Sequence, residues 1–205
     1  SLGSKVLHPR AVEYAANSGV TLRVLSSFIE GQGTLITFED ANMERPVVSG
    51  IAHAIDEAKL TVVGVPDVPG VASTILGPIA GASIEVDMIV QNIGSDGTTD
   101  FTFTVKRRDY DTAKGILDGI IKDIGARDVI GDNAIVKVSV VGVGMRSHAG
   151  VATRMFDALA AEDINIQMIS TSEIKISVVI AEQYLDVAVR SIHKVFDLGN
   201  NVTVA

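Results

Sequence analysis

Cysteine and tryptophan are absent from this chain of 205 residues, and aromatic side chains make up only 4% of it. Without cysteine, disulfides and thiolate metal sites are excluded, which fits a reducing cytoplasm. With so few aromatics, any core must be built from Val, Ile, Leu and Ala, and the 47% hydrophobic content is ample for one. Basic residues are also few. Seventeen Lys and Arg stand against twenty-five Asp and Glu, for a formal net charge of −8, which argues against nucleic acid as a partner. The one basic cluster, Arg107–Arg108, is expected to be a solvated strand end. No apolar run approaches the roughly 18 residues of a membrane span. The opening SLGSKVLHPR lacks the apolar stretch of a signal peptide and reads as if cut from something longer.

Catalytic patterns are missing as well. His8, His53, His148 and His193 are scattered, with no pair at a metal-ligand spacing. No serine has a G-x-S-x-G context, and no phosphate-binding G-x-x-x-x-G-K-[ST] occurs. Gly142-Val143-Gly144 begins like a dinucleotide fingerprint, but the next glycine is Gly150 and the spacing fails. The acidic pairs Asp56–Glu57 and Glu162–Asp163 read as solvated element ends. From the residues alone, neither a catalytic nor a metal site is expected.

What the chain does contain is a repeat. Lys59–Val65 (KLTVVGV) matches Lys137–Val143 (KVSVVGV), Gly70-Val71-Ala72 matches Gly150-Val151-Ala152, and Ile84–Ile89 (IEVDMI) matches Ile164–Ile169 (INIQMI). Each copy reads β-α-β-β-α-β. In the first, strand Leu60–Val65 precedes a helix from Gly70 to Ala80 with Val71, Ile75 and Ile79 inward. Strands Ile84–Asn92 and Thr99–Lys106 flank the turn signal Gly94-Ser95-Asp96-Gly97. Ala113, Ile116, Leu117, Ile120, Ile121 and Ile124 mark a helix ended by Gly125, and residues 126–131 close the unit as a strand. The second copy repeats this with strands Ile135–Val143, Ile164–Ser170 and Ile174–Ile180, helices Gly150–Ala161 and Leu185–Phe196, and a final strand at Val202–Val204.

This is the ferredoxin-like split βαβ arrangement, an α+β fold whose antiparallel sheet carries its helices on one face. The Val- and Ile-rich edges invite pairing of two units in one chain and of two chains. Ahead of the repeat, a helix from Pro9 and short strands at Val20–Leu25 and Thr34–Phe38 are too few to hold a core and read as the tail of another domain. A polar linker at Glu39–Arg45 and a leading strand at Val47–Ala54 follow. The expected division is 1–42, then 43–133 for the first unit with its leading strand, then 134–205 for the second.

The corner Pro66-Asp67-Val68-Pro69-Gly70 ends a strand and opens a helix. Free N–H groups and the positive dipole end suit a carboxylate there. Gly70 lets a ligand approach the backbone, and Asp67 can pair with an ammonium. The set complements an amino acid, with Gln91 on the neighbouring strand placed to hydrogen-bond its side chain. The alternative is that Asp67 and Pro69 only shape the turn and cap the helix. The second corner at Met145–Val151 favours binding.

These residues resemble a known family. The twin units are similar to tandem ACT domains, and residues 2–205 resemble the C-terminal regulatory region of bacterial aspartate kinase. The resemblance is carried by Lys5–Arg10 (KVLHPR), Val65–Gly70 (VPDVPG), Met88–Asn92 (MIVQN), Gly97–Phe103 (GTTDFTF), Gly144–Val151 (GMRSHAGV) and Ile169–Ile174 (ISTSEI). It implies a parent enzyme that uses ATP and Mg to phosphorylate L-aspartate and is feedback-inhibited by L-threonine, L-lysine or both. This part is then non-catalytic, without a cofactor of its own, cytoplasmic, and a homodimer through its ACT units, joined to a kinase-bearing domain or α-subunit. By resemblance, effector contacts fall on Asp67, Gly70, Val71, Ala72 and Gln91, and on Asn165 and Ile166 of the second unit. The second loop offers Met145, Ser147, His148, Gly150 and Val151, and Lys5 is a remnant of the nucleotide site. Met43-Glu44-Arg45-Pro46 is similar to the internal start of a separate regulatory β-subunit. Asp163 and Ala152 depart from the Asn and Thr of some relatives and leave effector identity open. A constitutive dimerisation module, or the regulatory part of another amino-acid-metabolic enzyme, are the other readings.

Overall fold

A computed structural model describes residues 6–37, 47–142 and 150–199. It divides into two units, residues 1–46 and 47–205. In the first, helix α1 (Pro9–Asn17) precedes a two-stranded ladder of β1 (Leu22–Val24) and β2 (Thr34–Ile36). Phe28 is 97% exposed and Tyr14 79%, and among the described residues before Val47 none enters a buried apolar cluster.

The second unit is organised by one six-stranded antiparallel sheet in the order β4-β5-β3-β6-β8-β7. Its elements are β3 (Gly50–Pro66), α2 (Val71–Gly81), β4 (Val86–Ile93), β5 (Thr98–Lys106), α3 (Tyr110–Ile120), β6 (Asp128–Val141), α4 (Val151–Ala160), β7 (Met168–Thr171), β8 (Lys175–Ala181) and α5 (Leu185–Val195). Both ferredoxin-like copies lie within this sheet. Alternation along the strands puts Leu60, Val62, Phe101, Phe103 and Val105 on the helix side, where they meet Val71, Ile75 and Ile79 of α2 and Ala113 and Leu117 of α3. In the second copy Val136, Val138, Val140, Val178 and Ile180 meet Val151, Met155 and Leu159 of α4 and Ala188 and Ile192 of α5. Each buried Val, Leu, Ile, Phe or Met contributes about 1.5–3 kcal/mol, so two largely aliphatic cores, the first with Phe101 and Phe103 at its centre, hold the unit together.

Two expected breaks are absent. The strands read separately at Val47–Ala54 and Leu60–Val65 are one strand, β3, and those at 126–131 and from Ile135 are one strand, β6. Both long strands cross from one copy to the other. The rear half of β3 pairs with the front of β6, as in Leu60↔Gly131, which closes the first copy. The front half of β3 pairs with the rear of β6, from Gly50↔Val141 to Ala54↔Lys137. The leading strand, grouped by sequence with the first unit, is therefore hydrogen-bonded into the second. The final strand read at Val202–Val204 lies outside the described residues, as does the linker at Glu39–Arg45.

Glu57 and Arg107 correct two further expectations. Glu57 is not a solvated end; it is 2% exposed at the crossover, where it pairs with Lys137 at 2.7 Å. Arg107 is not a free strand end, because its guanidinium donates to Glu182 Oε1 and to the Ile135 carbonyl oxygen, both at 3.1 Å. Arg108 is 80% exposed, as expected. Smaller shifts occur at element ends. α3 stops at Ile120, β4 begins at Val86 and β7 only at Met168.

Candidate functional site

The first corner stands on a built foundation. β3 bulges between Val62 and Val65, and Gly64 sits there at φ +63°, its N–H donating to Asp100 Oδ1 at 2.8 Å. That backbone conformation favours glycine, and a Cβ there would lie 2.1 Å from Arg127 Nε, so a larger residue would also displace the guanidinium. That guanidinium donates to Asp96 Oδ2 and Thr98 Oγ1, both at 2.6 Å. The Thr98 hydroxyl and N–H, followed by Arg127, hold the Asp96 carboxyl below the usual carboxylate range. The hairpin turn fixed in this way presents the Gly97 carbonyl oxygen to the Asp67 N–H at 3.4 Å. The turn signal at residues 94–97 gives no sign of Arg127, Asp96 and Asp100 as supports, since their contacts depend on the register of β5 and β6 on either side of β3.

From this base the chain turns through Asp67, Val68 and Pro69 to Gly70, the N-cap of α2, at φ +95°. A side chain there would meet nothing within 4 Å, so the space above the backbone is open. The Ser73 and Thr74 hydroxyls and the Thr74 N–H all donate to the Gly70 carbonyl oxygen. The N–H groups of the first turn have no partner within the helix. Asp67, Gly70, Val71, Ala72 and Gln91 line one open cleft of about 410 Å³, together with Val68 and Pro69. The five first-unit residues expected at the site are thus brought together, although they come from two elements. Its dimensions suit a ligand of amino-acid size.

Of the second unit's expected contacts, Asn165 is exposed and Ile166 packs at the margin of the second core; neither lines this cleft. Gly150 repeats Gly70 closely, as the N-cap of α4 at φ +93° with no atom within 4 Å of a Cβ, and Val151 is buried beneath it. Met145, Ser147 and His148 fall in residues 143–149, outside the described residues, and so does Lys5. Asp163 has φ +55° and matches Ser83 at φ +59°, each just past the end of its unit's first helix. Asn and Asp both tolerate that left-handed conformation, so the backbone there admits either residue. Ala152 is half-buried beside the second core.

Away from the corners, the helix-free face of the sheet joins the two copies. β4 and β7 end the strand order on opposite sides, yet they come into contact, with Met88, Met168, Ile135 and Val179 buried between them. Lys137 donates to Asp87 as well as to Glu57. Lys59 donates to Gln167 Oε1, while Gln167 Nε2 reaches Asp132 at 3.4 Å. Burial lowers the Lys59 ammonium against the opposing pull of Asp132. Burial also acts to lower Lys137, but the hydrogen bonds it donates to Asp87 and Glu57, with their charges, outweigh it and raise the group. Among the described residues, no helix is long and apolar enough to cross a membrane.

Comparison with known proteins agrees with this architecture. ACT-domain family models match residues 59–121 and 138–196. An aspartate kinase of Pseudomonas fluorescens (strain SBW25) is 68% identical over 199 residues, covering 97% of this chain and 48% of the relative. The chain therefore spans about half the length of the curated relatives it matches. A crystal structure of aspartokinase alpha and beta subunits superposes with a TM-score of 0.70 at 56% identity, covering 74% of this chain and 99% of the matched one. The ligand-free regulatory subunit of aspartate kinase from Thermus thermophilus gives 0.69 at 38% identity, covering 73% and 99%. With two ACT units, the crossed sheet and near-complete coverage of a regulatory subunit, the chain belongs to the aspartate kinase family and corresponds to its regulatory region.

Proposed function

We infer that this region senses L-threonine, L-lysine or both at the Asp67–Ala72 corner and transmits their binding as feedback inhibition of ATP-dependent L-aspartate phosphorylation. The observation that carries the reading is the convergence of Asp67, Gly70, Val71, Ala72 and Gln91 on one cleft. The α2 N-terminus receives the amino acid's carboxylate, Asp67 receives its ammonium, and Gln91 faces its side chain. Asn165 and Ile166 complete the site from the second unit of another copy, which makes the working form a homodimer. The second loop, through Met145, Ser147, His148, Gly150 and Val151, forms the matching site. The phosphotransfer, with its ATP and Mg, belongs to the kinase-bearing domain or subunit, as does the nucleotide contact of Lys5.

Inhibition then works by population shift. A ligand bound between ACT units favours one arrangement of the dimer in proportion to its differential affinity for the two. Isothermal calorimetry with L-threonine and with L-lysine tests the reading. Saturable heat with at least one is expected, and Asp67→Ala should weaken it about 10- to 150-fold, the worth of a charge-assisted hydrogen bond, with an unchanged far-UV spectrum. Absence of heat with both amino acids would favour a constitutive dimerisation module.

A further inference from the structure

The two seam lysines occupy the same position of the repeat, each at the head of its unit's first strand segment. Neither side chain stays in its own unit. Lys59 of the first unit reaches Gln167, just before β7 of the second, and Lys137 of the second reaches Asp87 on β4 of the first. Gln167 and Asp87 are themselves repeat equivalents. The exchange is reciprocal, and it bypasses the sheet's hydrogen-bond order, since two strands separate β7 from β3 and two separate β4 from β6.

One recipient segment carries a residue of the cleft, and the other carries the second-unit residues that the proposed function assigns to the site of another copy. Asp87 lies four residues before Gln91 on β4, and Gln167 directly follows Asn165 and Ile166. Both donor strands run onward to a ligand corner, β3 to Asp67 and β6 toward Gly150. We propose that the crossed lysine ties are a conformational device through which each unit's first strand governs the order of the other unit's ligand-facing strand, so that an event at either corner is felt at both. Its use in regulation rests on the sensing reading; the mechanical coupling does not.

The ties are unequal. Lys137 is 13% exposed and bonded to two carboxylates, whereas Lys59 meets a neutral amide. Removing Lys137 leaves the buried Glu57 carboxylate only the more distant Lys106, at 4.0 Å, and Glu57 Oε2 already has no hydrogen-bond partner. The Lys137 tie is therefore the stronger.

Hydrogen exchange of the whole chain, read by mass spectrometry without ligand, tests the device. Lys59→Met keeps an unbranched apolar side chain and removes the ammonium. It should speed exchange in β7 about threefold while β5, a hydrogen-bonded neighbour of β3, stays unchanged. Lys137→Met should speed exchange in β4 about tenfold. Acceleration confined to the substituted strand and its ladder partners would overturn the proposal. If Lys137→Met does not fold, the Lys59→Met pattern decides alone. Calorimetry with L-threonine and L-lysine is read separately, so loss of the sensing reading leaves the exchange result intact.

Discussion

The two ACT units share their backbone closely and differ in charge where they meet. Val71, Ile75 and Ile79 of α2 are matched by Val151, Met155 and Leu159 of α4, and Gly70 and Gly150 have φ angles of +95° and +93°. Along the seam the correspondence ends. Glu57 faces Ile135 across the crossover, Asp87 is answered by Gln167, and Arg107 pairs with Glu182, each of the last two opening the short 3₁₀ turn after its unit's third strand. An exact duplicate would set arginine against arginine at that point. Divergence at the seam makes the first unit prefer the second over a copy of itself, whereas the cores and corners remain alike because packing and backbone geometry constrain them.

The largest test of this comparison concerns β3, which both units share. The paired substitution Ala52→Pro/His53→Pro removes one ladder donor to β6, because alternate N–H groups of the front of β3 face that strand, its one partner there. It should destabilise the chain by about 3 kcal/mol, with exchange protection lost first in Lys137–Val141 and β8. Urea denaturation with hydrogen exchange checks this; loss confined to the first unit would break the interleaved picture. A medium effect is expected at the corners. Gly70→Ala and Gly150→Ala meet no steric obstacle, so each should cost only the left-handed penalty of about 1–2 kcal/mol. Equal urea midpoints would sharpen the equivalence, and a gap would locate strain in one corner.

The smallest effect tests the charge asymmetry. Burial raises the Asp87 carboxyl, but the Lys137 hydrogen bond and charge, then Lys175 and Lys106, hold it below the usual range. A depressed carboxylate adds stability above its unfolded value, about 3.9, and loses it as pH falls through the folded value. Asp87 is half exposed, so Asp87→Asn should cost no more than about 1 kcal/mol at pH 7. The difference from the native chain should shrink as pH falls through the folded value of Asp87, followed by chemical denaturation from pH 7 downward. Gln167→Asn, in the neutral tie, should show no such pH dependence.

Local signals carried much of this architecture. Period-two runs and three- and four-residue steps located the strands and helices of both units, and the repeated Gly-Val-Ala words located both helix N-caps. Asp67, Gly70 and Gln91 of the cleft were legible from the corner's chemistry and from the place of Gln91 late on the neighbouring strand, whereas Val71 and Ala72 entered through the family resemblance. The crossover was not legible. Glu57 looks solvated until Lys137, eighty residues away, is brought beside it. Arg107 looks free until the equivalent turn of the other unit supplies Glu182. Such contacts are set by strand register between distant segments and leave no periodic trace. The break read at Asp56–Glu57 followed from the charge, which in a continuous strand should face water; here the second unit's lysine neutralises it.

The crossed strands also bear on how the chain folds. Gly50 and Val141 are hydrogen-bonded partners about ninety residues apart. The segment that closes the second unit is synthesised before any of the first, and must remain unpaired until β6 emerges. The first unit is local enough to collapse on its own, whereas the second depends on a long loop closing late, a costly step that slows folding. During that interval the front of β3 is an unsatisfied edge, open to the β6 of another nascent chain. Exchange of this strand between two copies would use the same hydrogen bonds as the native sheet, so the crossover that binds the two units within one chain is also its most direct route to misassembly.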